Sequence, residues 1–272
     1  IAPAFVTDYA SRSEQQASPK LAVVWTASKH LTLRASYGAG FRPPTLLDLY
    51  SRTASPTTVA GVISINEPAP DLKAERIRAV EAGFDWRNRH DTSIGGAVFS
   101  QRLSDLVYRS RKSATLTQST NAGRARVEGV ELSLRQPLWN KSVTLFATVS
   151  HLSRYELTEN SALPASVGKK LTDVPGRMAN AGVEFSRAAW SGSLVARRVG
   201  HIFGSGDDLN ANVVEGVYGS YDAHTVINAK IACRINSNVS VAVSLENIAN
   251  RQYFDFYKQP GMTGLAEIVV KF

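Results

Sequence analysis

Val239-Ser-Val-Ala-Val-Ser-Leu245 and the chain end Ala266-Glu-Ile-Val-Val-Lys-Phe272 are the stretches that decide the fold. Every second residue is apolar in both of them: Val239, Val241, Val243 and Leu245 in the first, and Ala266, Ile268, Val270 and Phe272 in the second. A period of two is typical of a β-strand, whose side chains point to opposite faces of a sheet. These stretches therefore predict a closing hairpin with one apolar face and one polar face.

The same alternation recurs towards the N-terminus and predicts about eleven strands, each near the roughly 9 to 11 residues that a tilted strand needs to cross a bilayer. We expect tight turns at Ser28, Asn88, Asn140, Ala188 and Ser237. We expect long connections at residues 38–73, 108–122, 155–175, 204–220 and 255–264. Trp25, Trp86, Trp139 and Trp190 lie at or beside the tight turns.

Strict alternation of short and long connections is typical of a transmembrane β-barrel, and a row of tryptophans at one end is typical of its aromatic girdle. A soluble β-sandwich has no reason to keep this asymmetry. The sequence thus favours an all-β fold, an antiparallel up-and-down transmembrane barrel in a bacterial outer membrane. Phe272 resembles the terminal assembly signal of such barrels, which implies the outer-membrane assembly machinery as a partner.

The composition excludes several other functions. The 272 residues carry a formal net charge of +8, but the basic residues are spread over turns, loops and strand faces, which favours a solvated surface that keeps the protein soluble or touches lipopolysaccharide over nucleic-acid binding. The single cysteine, Cys233, permits neither an intramolecular disulfide nor a cysteine-based zinc site. No nucleophile elbow, zinc-protease motif or complete phosphate loop is present, so we expect no enzyme and no cofactor.

Four motifs resemble the barrel of TonB-dependent outer-membrane receptors. They are Gly40-Phe-Arg-Pro-Pro-Thr-Leu-Leu-Asp-Leu-Tyr50, then Pro70-Asp-Leu-Lys-Ala-Glu75 leading into Ala79-Val-Glu-Ala-Gly83, then Val127-Glu-Gly-Val-Glu131, and Glu246-Asn-Ile-Ala-Asn-Arg-Gln-Tyr253. The resemblance implies a barrel of about 22 strands around a plug. Residues 1–272 are expected to be its C-terminal half, without the plug domain and its TonB-contacting segment.

The function implied by the resemblance is active import of a large, scarce nutrient, a ferric siderophore before other cargo, driven through TonB. A passive porin is the alternative. It would need a small barrel that closes on itself, with residues 1–10 supplying a twelfth strand, because bacterial barrels have even strand numbers.

Ligand capture is expected in the outer loops. Cationic side chains there could attract an anionic metal chelate, and tyrosines could stack on a planar ligand. These residues are Arg42, Arg109, Arg111, Lys112 and Arg124, and Tyr50, Tyr108, Tyr155, Tyr218 and Tyr257. Asp207, Asp208, Asn210 and Asn212 resemble part of a calcium loop, but the expected glycine and final glutamate are missing, so a solvated polar loop is favoured. Four charged residues on the polar strand faces are expected to form ion pairs: Glu81, Glu131, Lys230 and Arg234.

Overall fold

The computed structural model describes residues 4–5, 12–57 and 61–272. The strands are β1 (Ala4–Phe5), β2 (Lys20–Ser28), β3 (Leu31–Arg42), β4 (Ser51–Pro56), β5 (Ile63–Glu67), β6 (Glu75–Arg87), β7 (Ser93–Arg111), β8 (Leu116–Leu138), β9 (Val143–Asn160), β10 (Arg177–Arg187), β11 (Trp190–Val199), β12 (His224–Arg234), β13 (Val239–Glu246), β14 (Phe254–Asp255), β15 (Tyr257–Lys258) and β16 (Thr263–Val270). One helix, α1 (Leu46–Tyr50), and a 3₁₀ turn, Pro164–Ser166, complete the elements.

Eleven strands form one continuous sheet in the order β16-β13-β12-β11-β10-β9-β8-β7-β6-β3-β2. Each pairs antiparallel with its neighbours in the chain, which confirms the up-and-down topology and the number of strands predicted from the alternation. In the described residues β2 and β16 are the two ends of this path, so the sheet is open. No helix in the described part of the chain is long and apolar enough to span a bilayer.

One face of the sheet is apolar and exposed. Ile231 lies opposite Val243 on β13 and Gly192 on β11, and cross-strand partners share a face. Ile231 and Val243 are 45% and 47% exposed, although both are large and apolar. The face continues across the sheet through Leu194, Leu145, Leu132, Val98, Val80 and Leu33. We call this surface the apolar face, and it has the character of a lipid-facing band.

The opposite, polar face carries charge. Arg34 pairs there with Asp85 and, at 3.7 Å, with Glu81, as expected for Glu81. Arg135 pairs with Glu184 at 3.2 Å. A cavity of about 550 Å³ lies against this face, and Arg34, Asp85 and Glu131 contribute to its lining. Charged residues are tolerated at this depth only where they face an aqueous or protein interior, so the polar face has the character of a lumen wall.

The short connections at one end of the sheet confirm the predicted tight turns. Strands are joined there by residues 29–30, 88–92, 139–142, 188–189 and 235–238. Asn140 occupies the left-handed region with φ 53°, which asparagine accepts more readily than most residues. All four tryptophans lie within three residues of a strand end on this side. We call this the tight-turn end and the other the loop end.

Three predictions for the connections at the loop end were wrong. Residues 108–122 are not a loop, because β7 and β8 run to Arg111 and from Leu116 and leave a connection of only residues 112–115. Residues 38–73 contain the end of β3, helix α1 and strands β4 and β5, although one long connection was predicted there. Strand β9 continues to Asn160, so Tyr155 is a strand residue. These extensions lie beyond the membrane-crossing part of the sheet, where no lipid-facing side imposes apolar alternation, which is why the sequence pattern missed them.

The connection at residues 43–74 folds onto the extended hairpin of β7 and β8. Strand β5 pairs in parallel with the start of β8, and β1 pairs with β4. Leu49, Ala69 and Leu72 form a small buried cluster against which Val107 of β7 packs. Helix α1 begins at the N-cap Thr45, whose hydroxyl accepts from Asp48 N. Residues 4–5 therefore pair at the loop end, and the rest of the stretch 1–10 that a twelfth strand would need lies outside the described residues.

Candidate functional site

Two connections at the loop end, residues 200–223 and 247–262, are joined by one buried carboxylate and by backbone hydrogen bonds. Asp222 is only 5% exposed. Its Oδ1 accepts from Gly216 N at 2.9 Å and from Ser220 Oγ at 2.7 Å, and its Oδ2 accepts from Phe254 N at 2.9 Å. One side chain thus ties its own loop to the next one. We call this arrangement the Asp222 clamp.

Backbone hydrogen bonds reinforce the clamp. Phe256 N donates to Ser220 O at 2.9 Å, and Gly219 N donates to Phe256 O at 2.8 Å. Burial works against the charge of Asp222, but the hydrogen bonds from Ser220, Gly216 and Phe254 and the charge of Arg251 outweigh it and lower the pKa of this carboxyl group. Asp222 is therefore ionised at neutral pH, where each of its hydrogen bonds is charge-assisted.

The clamp brings three aromatic rings together. The ring centroid of Tyr218 lies 5.2 Å from that of Phe256 and 5.6 Å from that of Tyr257, and Phe256 and Tyr257 are 5.0 Å apart. All three contacts are edge-to-face, a preferred geometry for aromatic pairs. Tyr218 is 67% exposed and Tyr257 63%. We call these three residues the aromatic patch; two of its members were predicted as ligand-binding tyrosines.

Two further predicted residues, Tyr108 and Asp208, lie near the extended hairpin of β7 and β8. Tyr108 of β7 has its pKa raised to about 12 by burial and then by the negative charges of Asp208 and Glu75. Burial and the neighbouring Asp207 and Asp173 also raise the pKa of Asp208. The connection at residues 200–223 thus reaches back to β7, and Tyr108 is half-buried rather than presented to solvent.

Other predicted ligand residues are engaged within the protein. Arg42 pairs with Glu75 at 2.5 Å. Tyr50 packs on the buried cluster around Leu49. Tyr155 lies under the ammonium group of Lys170, whose Nζ is 5.7 Å from the ring centroid. These contacts within the protein stabilise the loop end, so all three side chains have a structural role.

The remaining predicted cations are exposed. Arg109 and Arg111 lie on the outer part of β7, and Lys112 follows them in the hairpin connection. Arg124 is exposed on β8 and pairs with Glu159 at 3.2 Å. These side chains surround the hairpin and do not approach the aromatic patch through any contact between described residues.

The loop that resembles a calcium site uses its polar groups internally. Asp207 accepts from Ala211 N at 2.8 Å and Asn212 N at 2.9 Å. Asn210 exchanges two hydrogen bonds with the backbone of Lys170. Within the described ranges, no group of three or more His, Cys, Asp or Glu side chains is placed to hold a metal ion. This geometry fits the polar-loop interpretation.

Sequence reasoning missed two residues of the site, Phe256 and Asp222. The run Tyr253-Phe-Asp-Phe-Tyr257 does concentrate aromatic side chains in one connection, and that density is a usable signal. Nothing local marks Asp222, because its key partner Phe254 lies 32 positions further along the chain.

An open antiparallel sheet with a lipid-type outer face, a charged inner face, short turns at one end and long structured connections at the other defines the wall of a transmembrane transport barrel. The sequence matches the family model described as TonB dependent receptor-like, beta-barrel, over residues 2–248. The chain belongs to the TonB-dependent receptor β-barrel family. No curated protein matches the sequence.

Solved structures support the same fold. The ferric enterobactin receptor of Pseudomonas aeruginosa is similar with a TM-score of 0.73 at 16% identity, over 94% of this chain and 40% of that one. A siderophore receptor from Acinetobacter baumannii gives 0.74 at 14% identity, over 94% and 41%. An iron transporter from Neisseria meningitidis gives 0.68 at 18% identity, over 93% and 38%. The chain thus spans about two fifths of the structures it resembles, and at these identities the likeness shows the fold alone.

Proposed function

We propose that this chain is part of an outer-membrane receptor that imports a large, scarce nutrient, a ferric siderophore, by active transport driven through TonB. Family membership supports a transport receptor, and the named cargo of two similar structures, enterobactin and a siderophore, supports the class of ligand. The chain covers about 40% of the length of those structures, and a plug and its contact with TonB are part of the proposal.

The aromatic patch is the observation that carries the proposal. It stands at the loop end and presents two well-exposed tyrosine rings on a scaffold that is held by the Asp222 clamp. A planar aromatic chelate gains from stacking on such rings, and a rigid platform loses little entropy when the ligand binds. Exposed cations such as Arg109 and Arg111 would attract the negative charge of a ferric chelate from solution.

The other proposed partners are membrane lipid, lipopolysaccharide and the barrel-assembly machinery. The apolar face would contact outer-membrane lipid and lipopolysaccharide, and Phe272, fully exposed at the chain end, is available to the barrel-assembly machinery. Lys271 is fixed to the neighbouring turn, because its N donates to Asn238 O at 2.8 Å and its O accepts from Asn238 Nδ2 at 3.0 Å. The terminal side chain is thus held at the tight-turn end.

Ligand binding by the receptor expressed from its complete reading frame tests the proposal. Tryptophan and tyrosine fluorescence would be titrated with ferric siderophores of catecholate and hydroxamate type, with the iron-free compounds as controls. We expect one ferric compound to quench the fluorescence at sub-micromolar concentration. Tyr218→Ala/Tyr257→Ala should lower the affinity for it by at least tenfold, since stacking of a planar ring on an aromatic side chain is worth about 1–3 kcal/mol. Tyr37→Ala, which alters a tyrosine on the apolar face, is the matched control.

A passive channel gives the opposite result. It would admit small solutes into vesicles without saturable binding, and iron uptake by cells carrying the receptor would not depend on the proton motive force. Equal affinity of the double tyrosine variant and the wild type would remove the aromatic patch from the site.

A further inference from the structure

One stretch of β7 is paired on one side only. The outermost pair between β6 and β7 is Arg76 with Ser104, whereas β7 continues to Arg111. Beyond that pair β7 is bonded to β8, as far as the partners Arg111 and Thr117. Within the described ranges no strand pairs with the other side of residues 107–111. We call this stretch the free edge.

The main-chain groups of the free edge point alternately towards β8 and away from it, as in any antiparallel pair. Lys112 N donates to a β8 carbonyl oxygen at 2.8 Å, which assigns the even-numbered residues to the β8 side. Val107 N points the other way and donates to the carboxylate of Glu75 at 2.8 Å. The N–H and C=O groups of Arg109 and Arg111 therefore point outward, and no described residue outside the sheet bonds to them.

The free edge stands clear of the membrane-crossing part of the sheet. Sixteen residues separate Ser93, where β7 leaves the tight turn, from Arg109, which is about 53 Å of strand at ~3.3 Å per residue. With a tilt near 40° this is about 40 Å along the membrane normal, against roughly 25 Å for the apolar band of a barrel. A partner could therefore reach the edge from water.

The free edge is also basic. Arg109, Arg111 and Lys112 are exposed, and none of them has an ion-pair partner in the part of the chain that the structure describes. Arg109 and Arg111 are two residues apart on one strand, so their side chains share a face. Three positive charges thus stand beside free main-chain groups.

Carboxylates near the edge are engaged within the protein. Glu75 pairs with Arg42 at 2.5 Å. Asp48 accepts at 3.3 Å from the hydroxyl of Ser119, which is the register partner of Arg109. Neither carboxylate forms an ion pair with the edge, so its charge is available to a partner.

The charge of the free edge discriminates between possible occupants. An unpaired edge is a template for an added strand, and charged side chains discourage pairing with a second copy of the same protein. A second copy of this edge would place arginine against arginine. A strand with acidic residues at alternate positions would instead place one carboxylate opposite Arg109 and another opposite Arg111, which is favourable.

We propose that the free edge binds an extended acidic segment of another protein by adding it to the sheet as an antiparallel strand. Main-chain hydrogen bonds to Arg109 and Arg111 would give affinity, and the two guanidinium groups would give selectivity, as in other strand-addition complexes. The carboxylates of the occupant stand two residues apart, because alternate side chains of a strand share a face. This inference goes beyond the proposed function and requires no metal chelate.

Fluorescence anisotropy with a labelled peptide tests the inference, using the receptor expressed from its complete reading frame and held in lipid nanodiscs. The peptide has about ten residues, in which glutamate and threonine alternate, as the strand period requires. The glutamates that lie opposite Arg109 and Arg111 would donate their N–H groups to the edge. We expect saturable binding, and methylation of those N–H groups should lower the affinity by about tenfold, since each lost main-chain hydrogen bond weakens binding several-fold.

Matched peptides and variants make the outcome specific. Methylation of the threonine N–H groups, which would face away from β7, should leave the affinity unchanged. Arg109→Gln/Arg111→Gln should lower the affinity about threefold to tenfold. Arg89→Gln/Arg187→Gln, which removes two exposed arginines at the tight-turn end, should bind like the wild type. The methylated peptides are measured on the wild type, so the test stays valid if a variant does not fold.

Hydrogen exchange resolved to single residues gives a second readout. The amides of Arg109 and Arg111 should exchange more slowly when the peptide is bound, because strand addition gives both of them an acceptor. Binding by charge alone would leave their exchange unchanged.

Four results would overturn the inference. They are absence of peptide binding, equal affinity of the two methylated peptides, equal affinity of Arg109→Gln/Arg111→Gln and the wild type, and protection of the Arg109 and Arg111 amides in the free receptor. The last would show that another segment of the receptor occupies the edge. Siderophore binding by the same preparations is scored separately, and its absence would remove the proposed function and leave the peptide result intact.

Discussion

Replacing Asp222 by alanine should loosen the attachment of the connection at residues 247–262 to the loop before β12, which backbone hydrogen bonds still hold. The substitution removes the acceptor of two backbone amides, Gly216 N and Phe254 N, and neither has another acceptor in the described structure. The hydroxyl of Ser220 can still donate to Val217 O, which lies 2.6 Å away. The lost interactions are therefore two charge-assisted hydrogen bonds.

The size of the effect follows from those two bonds. Hydrogen bonds to a charged group contribute about 1.5–3 kcal/mol each, so the clamp should lose about 3–6 kcal/mol of local stability. The ladders of β12 and β13 are untouched, and the barrel should keep its overall stability. Asp222→Asn, which keeps one carbonyl oxygen, should show about half the effect.

Hydrogen exchange measured by mass spectrometry on the folded receptor tests this reasoning. A loss of about 3 kcal/mol raises the exchange rate of amides protected by local opening by about a hundredfold, and we expect this at Gly219, Phe254 and Phe256. Asp207→Ala is the matched control, because Asp207 also accepts from two amides, but both are within its own loop. Unchanged exchange at Phe254 in Asp222→Ala would refute the clamp.

The clamp also has a defined pH dependence. The pKa of Asp222 is lowered in the folded protein, so its contribution to stability is fully present above the ordinary carboxyl value of 3.8 and is lost as the pH falls through the lower folded value. Amide exchange at Phe254, corrected for the intrinsic rate, should therefore be constant from neutral pH to about pH 4.

Three further predictions concern the sheet and the hairpin. Ile231→Arg should impair membrane assembly by about 2–4 kcal/mol, because it places a charge on the apolar face, whereas Ala232→Arg on the adjacent polar face should assemble; equal yields of folded protein would contradict the face assignment. Deletion of Phe272 should reduce the heat-modifiable band in outer membranes, and an unchanged band would remove its role as an assembly signal. Tyr108→Phe should abolish a phenolate transition near pH 12 in ultraviolet absorbance. An ultraviolet titration that is the same in the variant and the wild type would contradict the burial of Tyr108. Because folding raises the pKa of Tyr108, its contribution to stability is complete below about pH 10 and is lost as the pH rises through 12.

The membrane-crossing part of the fold was predictable because lipid imposes a strict pattern. Ile231 had to be apolar and Lys230 could not share its face, so the face of each side chain in this strand could be assigned from alternation alone. Outside the bilayer this constraint ends. The strand from Leu116 to Ala122 is rich in polar and small residues, and its buried Ser119 lies against helix α1, where its hydroxyl donates to Asp48 at 3.3 Å.

The site was predictable only in part. Tyr218 and Tyr257 could be placed in outer connections, but their proximity depends on a carboxylate between two loops, which no local pattern encodes. Tyr50 and Tyr155 looked equivalent to them in sequence, yet one packs on a small apolar cluster and the other lies beneath Lys170. Residue type and loop position thus identify aromatic side chains, and tertiary contacts decide which of them face solvent.

The extended hairpin of β7 and β8 makes the loop end of the sheet uneven. Strand β8 contains 23 residues, and only about ten are needed to cross the bilayer. The surplus corresponds to roughly 40 Å of strand, or about 30 Å of height at the tilt of a barrel strand. In the proposed outer-membrane receptor, the connection at residues 112–115 would stand well outside the bilayer, where antibodies, phage and proteases could reach it. A short epitope tag placed there should therefore report surface display without touching the aromatic patch.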